Sequence, residues 1–271
     1  MKLIANVKFE SQLKDNPWQK LKAFTDARIA LGRTGGSLPT RPSLEFQLAH
    51  AQAKDAVLKL LDVDSLKAGL TKSGLPVLEI DSQALENDLY LKRPDLGRVL
   101  SEQSKTVLQQ YRTEHQQPLD VVIILGDGLS ARAIEENAPY FVPALIDACK
   151  EEGWQIAPLV IARGSRVALG DEVAEILQAK MLVMLIGERP GLSSPDSMGI
   201  YYTYNAFKGC HDALRNCISN VRPAGLAYPI AIQRLMALMH KSCELQLSGV
   251  QLKDEHQTPV DMQHSPAKRL F

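Results

Sequence analysis

The carboxyl-terminal half of the sequence predicts an α/β fold built on a parallel sheet, and two observations carry this. Near-continuous apolar runs, VVIIL at 121–125, IAPLVIA at 156–162 and MLVMLIG at 181–187, have the length and composition of strands buried on both faces. Helical stretches separate them, 129–152 and DEVAEILQAK at 171–180, and strands alternating with helices imply a parallel sheet covered by helices. The predicted architecture is a Rossmann-like (flavodoxin-like) domain over about 116–250. A mainly helical region precedes it over 1–115, and a loosely ordered tail follows over 251–271.

Taken in order, the amino-terminal region opens with the Gly/Pro/Thr-rich loop ALGRTGGSLPTRP, flanked by Arg28, Arg33 and Arg41. Apolar positions at Leu44, Leu48, Ala51, Leu58 and Leu61 then follow near-helical spacing. VLEIDS at 77–82 predicts one short strand, and a turn at Pro94 leads into a helix ending near Arg112. The pattern changes at TEHQQPLD, 113–120. Within the second region, Pro139 and Pro143 are expected to interrupt the helix over 129–152. IYYTY at 200–204 predicts a fourth strand, and a last helix runs from Pro229, a residue suited to a first helical turn, to about Leu247. LKDEHQTPVDMQHSPAKRLF, 252–271, has no periodicity.

The bulk properties exclude several classes. Lys and Arg total 31 and Asp and Glu total 31, so no net charge favours nucleic acid or an anionic membrane surface. No apolar run approaches the ~20 residues that span a bilayer. MKLIANVKFESQLKDNPW breaks into charge at once, which predicts no secretory leader. Cys149, Cys210, Cys217 and Cys243 are scattered without a C-x-x-C, which argues against zinc and against a disulfide framework. A reducing cytoplasm is the expected location.

In an open α/β sheet, ligands bind beyond the carboxyl ends of the strands. The relevant loops are GDGLSAR at 126–132, RGSRVALG at 163–170 and GERPGLSSPDS at 187–197. The first contains G-x-G-x-x-A, a dinucleotide fingerprint, and Arg163 with Arg166 after the next strand suits a 2′-phosphate. An NADP-linked oxidoreductase is therefore one reading. Against it, Ala131 replaces the third glycine and Asp127 is poorly placed beside a pyrophosphate; Gly126 and Gly128 alternatively serve only a sharp turn. GERPGL sets Glu188 and Arg189 before a Pro-Gly turn, as a local surface pair or as a ligand-facing rim. RNCISNV places Cys217 near Ser219 and Asn220, with His211 six residues away, as a reactive thiol or as an inert packing cysteine. With no G-x-S-x-G, P-loop or H-E-x-x-H, the sequence points to a binding module whose chemistry is completed elsewhere; a scaffolding protein without ligand is the third reading.

The ordered set LGRTGG, AQAKDAV, LYLKRPDLGR, VVIILGDGLSARA, LIGERPGL and CISN resembles the small (light) subunit of ethanolamine ammonia-lyase, over about residues 26–250. The resemblance implies an adenosylcobalamin-dependent enzyme that converts ethanolamine to acetaldehyde and ammonia. It implies that the catalytic residues lie in a large TIM-barrel subunit, with which this chain forms a hetero-oligomer. It also implies three cobalamin contacts: Val167 after Gly164-Ser165-Arg166, Glu188 of GERPG and Cys217 of CISN. The Glu188-to-Cys217 interval is one residue shorter than the family pattern, which places a deletion within YNAFKGCHDALR, 204–215. Charge adds Arg166 and Arg189 as candidates for the nucleotide phosphate, and Ser219 as a polar neighbour of Cys217. No D-x-H-x-x-G occurs, so the coenzyme is expected to keep its own lower base. Relatives packaged in microcompartments carry an amphipathic extension; VKFESQLKDNPWQKLKAF, 7–24, is a modest candidate, read here as a docking helix for the large subunit.

Overall fold

The computed structural model describes residues 17–252. Of the amphipathic candidate 7–24, residues 7–16 lie outside the described residues, as does the tail beyond 252, and Pro17–Phe24 forms a 3-10 helix. Six strands form one sheet: β1 (Val77–Asp81), β2 (Leu119–Gly126), β3 (Leu159–Arg163), β4 (Ala179–Gly187), β5 (Met198–Tyr204) and β6 (Arg215–Val221). Their spatial order is β1-β3-β2-β4-β5-β6, with β1, β3, β2 and β4 parallel and β5 and β6 antiparallel. The protein is thus α/β, with a mixed sheet where the sequence predicts a parallel one. The cause is the connection from β4 to β5, residues 188–197, which contains no helix. Parallel neighbours need a crossover of a dozen residues or more, so this short link turns the chain back.

The helices are α1 (Thr40–Leu58), α2 (Val63–Leu70), α3 (Asn87–Lys92), α4 (Glu102–Glu114), α5 (Ala131–Glu151), α6 (Leu169–Leu177) and α7 (Tyr228–Leu245). The period of two in β2 and β4 divides the core into two layers. Val121, Ile123, Leu125, Val183 and Leu185 pack with α2, α5 and α7. Val122, Ile124, Leu182, Met184 and Ile186 pack with α6 and with Leu108 of α4. Both faces are dry, which is why these strands read as unbroken apolar runs.

Pro139 and Pro143 do not interrupt α5, contrary to expectation; the helix runs through both. Ile134, Phe141, Val142, Leu145, Ile146 and Cys149 are fully buried from this one helix, each contributing about 1.5–3 kcal/mol. Their sum exceeds the ~3 kcal/mol that an interior proline costs. The Pro139 ring also packs into a notch at Gly69 of α2, where a Cβ would lie 3.0 Å from its Cγ. Ser130 caps α5 by accepting from the Ala133 amide at 3.2 Å.

α5 leaves β2 toward one face of the sheet and α6 leaves neighbouring β3 toward the other. This divergence opens a crevice beyond the carboxyl ends of the strands. At its floor the tip of β4 touches the turn after β2: a Cβ on Gly187 would fall 2.1 Å from the Ser130 carbonyl and 2.5 Å from that of Asp127. Gly187→Ala is therefore expected to cost roughly 3 kcal/mol or more and to lower the melting temperature by about 6 °C or more. Gly153→Ala, at φ +74° but in open space, should cost only about 1 kcal/mol. Thermal unfolding of the two variants side by side checks the contrast; equal losses would mean that the strand tips are not in backbone contact.

Candidate functional site

The turn after β2 is organised by Asp127. Its Oδ1 accepts from the Gly128 amide (2.9 Å), the Ser165 amide (2.9 Å) and Ser165 Oγ (3.1 Å), and its Oδ2 accepts from the Gly164 amide (2.6 Å). Burial pushes this carboxyl above its ordinary range, and the donors from Ser165, Gly164 and Gly128 offset that only in part. Gly128 sits at φ +56°, and a Cβ there would be 2.3 Å from the Gly187 carbonyl, so the turn has room only for glycine.

These bonds decide the dinucleotide reading. The Leu129 amide donates to the Gly187 carbonyl (3.0 Å) and the Ser130 amide to the Asp127 carbonyl (3.0 Å). With the Gly128 amide on Asp127, the donors that a pyrophosphate would need are already committed. Arg163 forms a bidentate pair with Asp81 at 2.6 and 2.9 Å, and the Arg166 guanidinium lies 4.1 Å from the Tyr90 ring centroid while donating to the Tyr90 carbonyl at 3.1 Å. The G-x-G-x-x-A at 126–131 is a packing turn, and the NADP alternative loses its support.

Among the described residues three cavities open along these strand ends, and two adjoining ones carry the predicted residues. One, of about 420 Å³, is lined by Tyr90, Leu129, Arg166, Val167, Glu188, Arg189 and Tyr201. The other, of about 270 Å³, is lined by Arg98, Arg166, Val167, Tyr201, Asp212, Arg215 and Cys217. They share Arg166, Val167 and Tyr201. The structure thus brings Val167, Glu188, Arg166 and Arg189 onto one wall system and Cys217 onto its continuation. Ser219 lines neither cavity; it is exposed on β6, with its Oγ 3.3 Å from Cys217 Sγ.

Each position has a physical origin. Glu188 follows β4; its Oε2 accepts from Ser197 Oγ (2.5 Å) and the Asn220 amide (3.2 Å), while Oε1 has no hydrogen-bond partner among the described residues. Tyr201 stands between Met184 of β4 and Cys217 of β6 in the sheet register. Burial, then the neighbouring Cys217, pushes its phenol up to about 12. Arg166 Nε is buried without a partner, whereas Arg189 and Arg98 are exposed and make no ion pair among the described residues.

Sequence reasoning missed Tyr201, Tyr90 and Arg98. Alternation in IYYTY carries the first signal, because Ile200 and Tyr202 face the core shared with α7 and Tyr201 must face the other way. Arg98 closes the motif LYLKRPDLGR but carries no local mark of its role.

The first turn of α6, directly after Val167, locks this surface together. Asp171 forms a bidentate pair with Arg215 of β6 at 2.5 and 2.7 Å, with side chains 1% and 3% exposed. Glu172 accepts from the Leu100 amide (3.1 Å) and from Lys208 Nζ (2.8 Å). Asp171→Ala would leave a buried guanidinium uncompensated and should cost about 3–5 kcal/mol, read from the urea midpoint. Burial raises the Glu172 carboxyl, but Lys208, the Leu100 amide and Lys105 more than offset it, leaving it below 4.5. Its stabilisation is therefore present above that value and is lost as pH falls through the lowered one. Glu172→Gln should be less stable than wild type near neutrality and should lose less between about pH 6 and about pH 3. Parallel acid limbs for the two proteins would contradict this.

Among the described residues no helix is long and apolar enough to cross a membrane. The family model "Ethanolamine ammonia-lyase light chain (EutC)" matches residues 15–253. Three proteins, each described as "Ethanolamine ammonia-lyase small subunit", are similar over most of their length. That of Pseudomonas fluorescens (strain Pf0-1) is 52% identical over 242 residues, 89% of this chain and 88% of the relative. That of Pseudomonas syringae pv. tomato is 50% identical over 242 residues, 89% and 84% of the two chains. That of Azotobacter vinelandii is 49% identical over 245 residues, 90% and 91%. With its sheet, its strand-end surface and matches of this extent, the chain belongs to the ethanolamine ammonia-lyase light-chain family, whose members are subunits of a lyase.

Proposed function

We propose that this chain holds adenosylcobalamin against a catalytic large subunit, in an enzyme that releases acetaldehyde and ammonia from ethanolamine. The observation that carries the reading is convergence. Val167 and Glu188 come from the turns after β3 and β4, Cys217 comes from within the edge strand β6, and the three line adjoining cavities that share Tyr201. In this reading residues 116–250 form a Rossmann-like unit, the mainly helical segments of 1–115 dock the TIM-barrel subunit in a hetero-oligomer, and β1 is the strand they lend to the sheet.

The chemistry of the surface fits the group. A corrin is a broad plate studded with methyls and edged with amide arms. Val167, Leu129 and the Tyr201 ring offer it apolar contact, and the open Oε1 of Glu188 offers an acceptor to amide N–H groups. The exposed Arg189 and Arg98, which make no ion pair among the described residues, offer donors to a nucleotide phosphate, while Arg166, held on Tyr90, lines the wall beside them. Small Cys217 and Ser219 leave room beside β6. When bound, adenosylcobalamin supplies radical chemistry through its cobalt–carbon bond. The side chains here bind and orient; none takes part in the reaction. The four free thiols suit a reducing cytoplasm, with a bacterial microcompartment as the second location.

The test is reconstitution with the large subunit and adenosylcobalamin. A corrinoid absorbance that survives gel filtration only when this chain is present is expected, together with aldehyde release. Retention of NADPH instead, or of nothing, overturns the reading. Glu188→Ala should raise the coenzyme concentration needed for half-maximal activity by about tenfold, the worth of one hydrogen bond to a charged group, with the Michaelis constant for ethanolamine unchanged. Loss of substrate affinity at saturating coenzyme would contradict this division of labour.

A further inference from the structure

The turn that carries Glu188 and Arg189 is held unevenly. Its return limb is anchored three times: Ser130 Oγ donates to the Pro195 carbonyl (3.0 Å), buried Asn137 Nδ2 donates to the Asp196 carbonyl (2.9 Å), and Arg222 pairs with the Asp196 carboxylate (3.3 Å). Its tip closes on itself, through the Gly191 amide to the Ser194 carbonyl (3.1 Å) and the Ser194 amide to the Gly191 carbonyl (3.2 Å). Among the described residues, one hydrogen bond joins that tip to the rest of the chain: Arg28 Nη2 donates to the Leu192 carbonyl at 3.2 Å, across 164 residues of sequence.

Arg28 is tied at its other side as well. Its guanidinium carbon lies 6.0 Å from the ring centroid of Phe46 on α1, and Phe46 stacks on His50 with centroids 6.3 Å apart. A planar guanidinium can donate from one arm while its face rests near a ring, which a lysine cannot reproduce in full. The local backbone delivers it: the Ile29 amide bonds the Ala27 carbonyl (2.8 Å), and Ala30 takes φ +53°, a left-handed conformation that an L-residue enters at a cost. The two other arginines beside the same loop do not do this; Arg41 pairs with Glu45 on its own helix, and Arg33 makes no side-chain hydrogen bond or ion pair to the turn among the described residues.

We infer that Arg28 is a positioning residue, which fixes the tip of the Glu188–Arg189 turn against α1 and so sets how that rim is presented to the coenzyme. This rests on the cobalamin reading above. It also joins the segment proposed to dock the large subunit to the rim proposed to meet the cofactor, so that the two are set together.

The experiment uses the complex with the large subunit and three forms of this chain: wild type, Arg28→Met and Arg28→Lys. Arg28 is exposed, so none of these changes disturbs a core. Without coenzyme, hydrogen exchange at the Gly191 and Ser194 amides should be about fivefold faster in Arg28→Met, the effect of one lost hydrogen bond, while the return limb at Ser197 exchanges as in wild type. Adenosylcobalamin, titrated by absorbance, should bind about fivefold more weakly to Arg28→Met, and Arg28→Lys should recover most of both effects. The Michaelis constant for ethanolamine should not move. Unchanged exchange at the tip overturns the inference, as does faster exchange with unaltered coenzyme affinity. A wild-type complex that binds no corrinoid overturns the cobalamin reading itself and the inference with it.

Discussion

The candidate surface depends on the Asp127 carboxylate. A buried charge is tolerated only when donors replace its lost hydration, and Asp127 has three backbone amides and one hydroxyl to do so. Because two of those amides belong to Gly164 and Ser165, the turn after β2 cannot move without the turn after β3. The tip of β4 joins them through the Leu129 amide and the Gly187 carbonyl. Three strand ends therefore behave as one rigid edge. Arg166 and Val167 hang from the second turn and Glu188 from the third, so the wall they share is set by this clamp rather than by their own contacts. The same clamp removes the donors of a dinucleotide site.

Beyond the parallel strands, the fold supplies the remainder of the surface by doubling back. An all-parallel sheet would have required a covering helix after β4. The short link instead brings β5 and β6 alongside, and their register sets Tyr201 beside Cys217. An antiparallel extension would be free to twist away were it not fastened, and the Asp171–Arg215 pair fastens it. That pair joins the helix which starts just after Val167 to the strand which carries Cys217. Two parts of the surface far apart in sequence are thus held by one buried ion pair, whose geometry is bidentate and supported by a further bond from Arg215 to the Cys210 carbonyl at 3.0 Å.

What the sequence reveals follows from which forces act locally. The apolar runs of β2, β3 and β4 are legible because strands buried on both faces carry their environment in their composition. Helix α7 is legible from Pro229 at its first turn. β6 is not, because RNCISNV lies at the sheet edge, where Asn216, Cys217, Ser219 and Asn220 need not be apolar. The prolines of α5 mislead because burial across the whole helix outweighs a local penalty. Within the candidate site, motif resemblance marks Val167, Glu188 and Cys217, but Tyr201, Arg98 and the reach of Arg28 depend on register and on contacts between distant segments. A single sequence encodes those without displaying them.

The chemistry of the cavity walls argues for binding over reactivity. The Tyr201 phenol, pushed up to about 12, keeps its proton across the neutral range. Glu188 has one oxygen held by Ser197 and Asn220, which fixes the carboxylate as an oriented acceptor. The neighbour of the Cys217 thiol is the Ser219 hydroxyl rather than an imidazole, and His211 is exposed and makes no bond to it. A nucleophile needs a base within reach to take its proton, and among the described residues no hydrogen bond joins the Cys217 thiol to a histidine or a carboxylate. What remains is apolar area, one fixed acceptor and several guanidinium groups, arranged on a rigid edge. Such a surface can grip a large amide-rimmed ligand at many points while leaving its reactive side to another subunit.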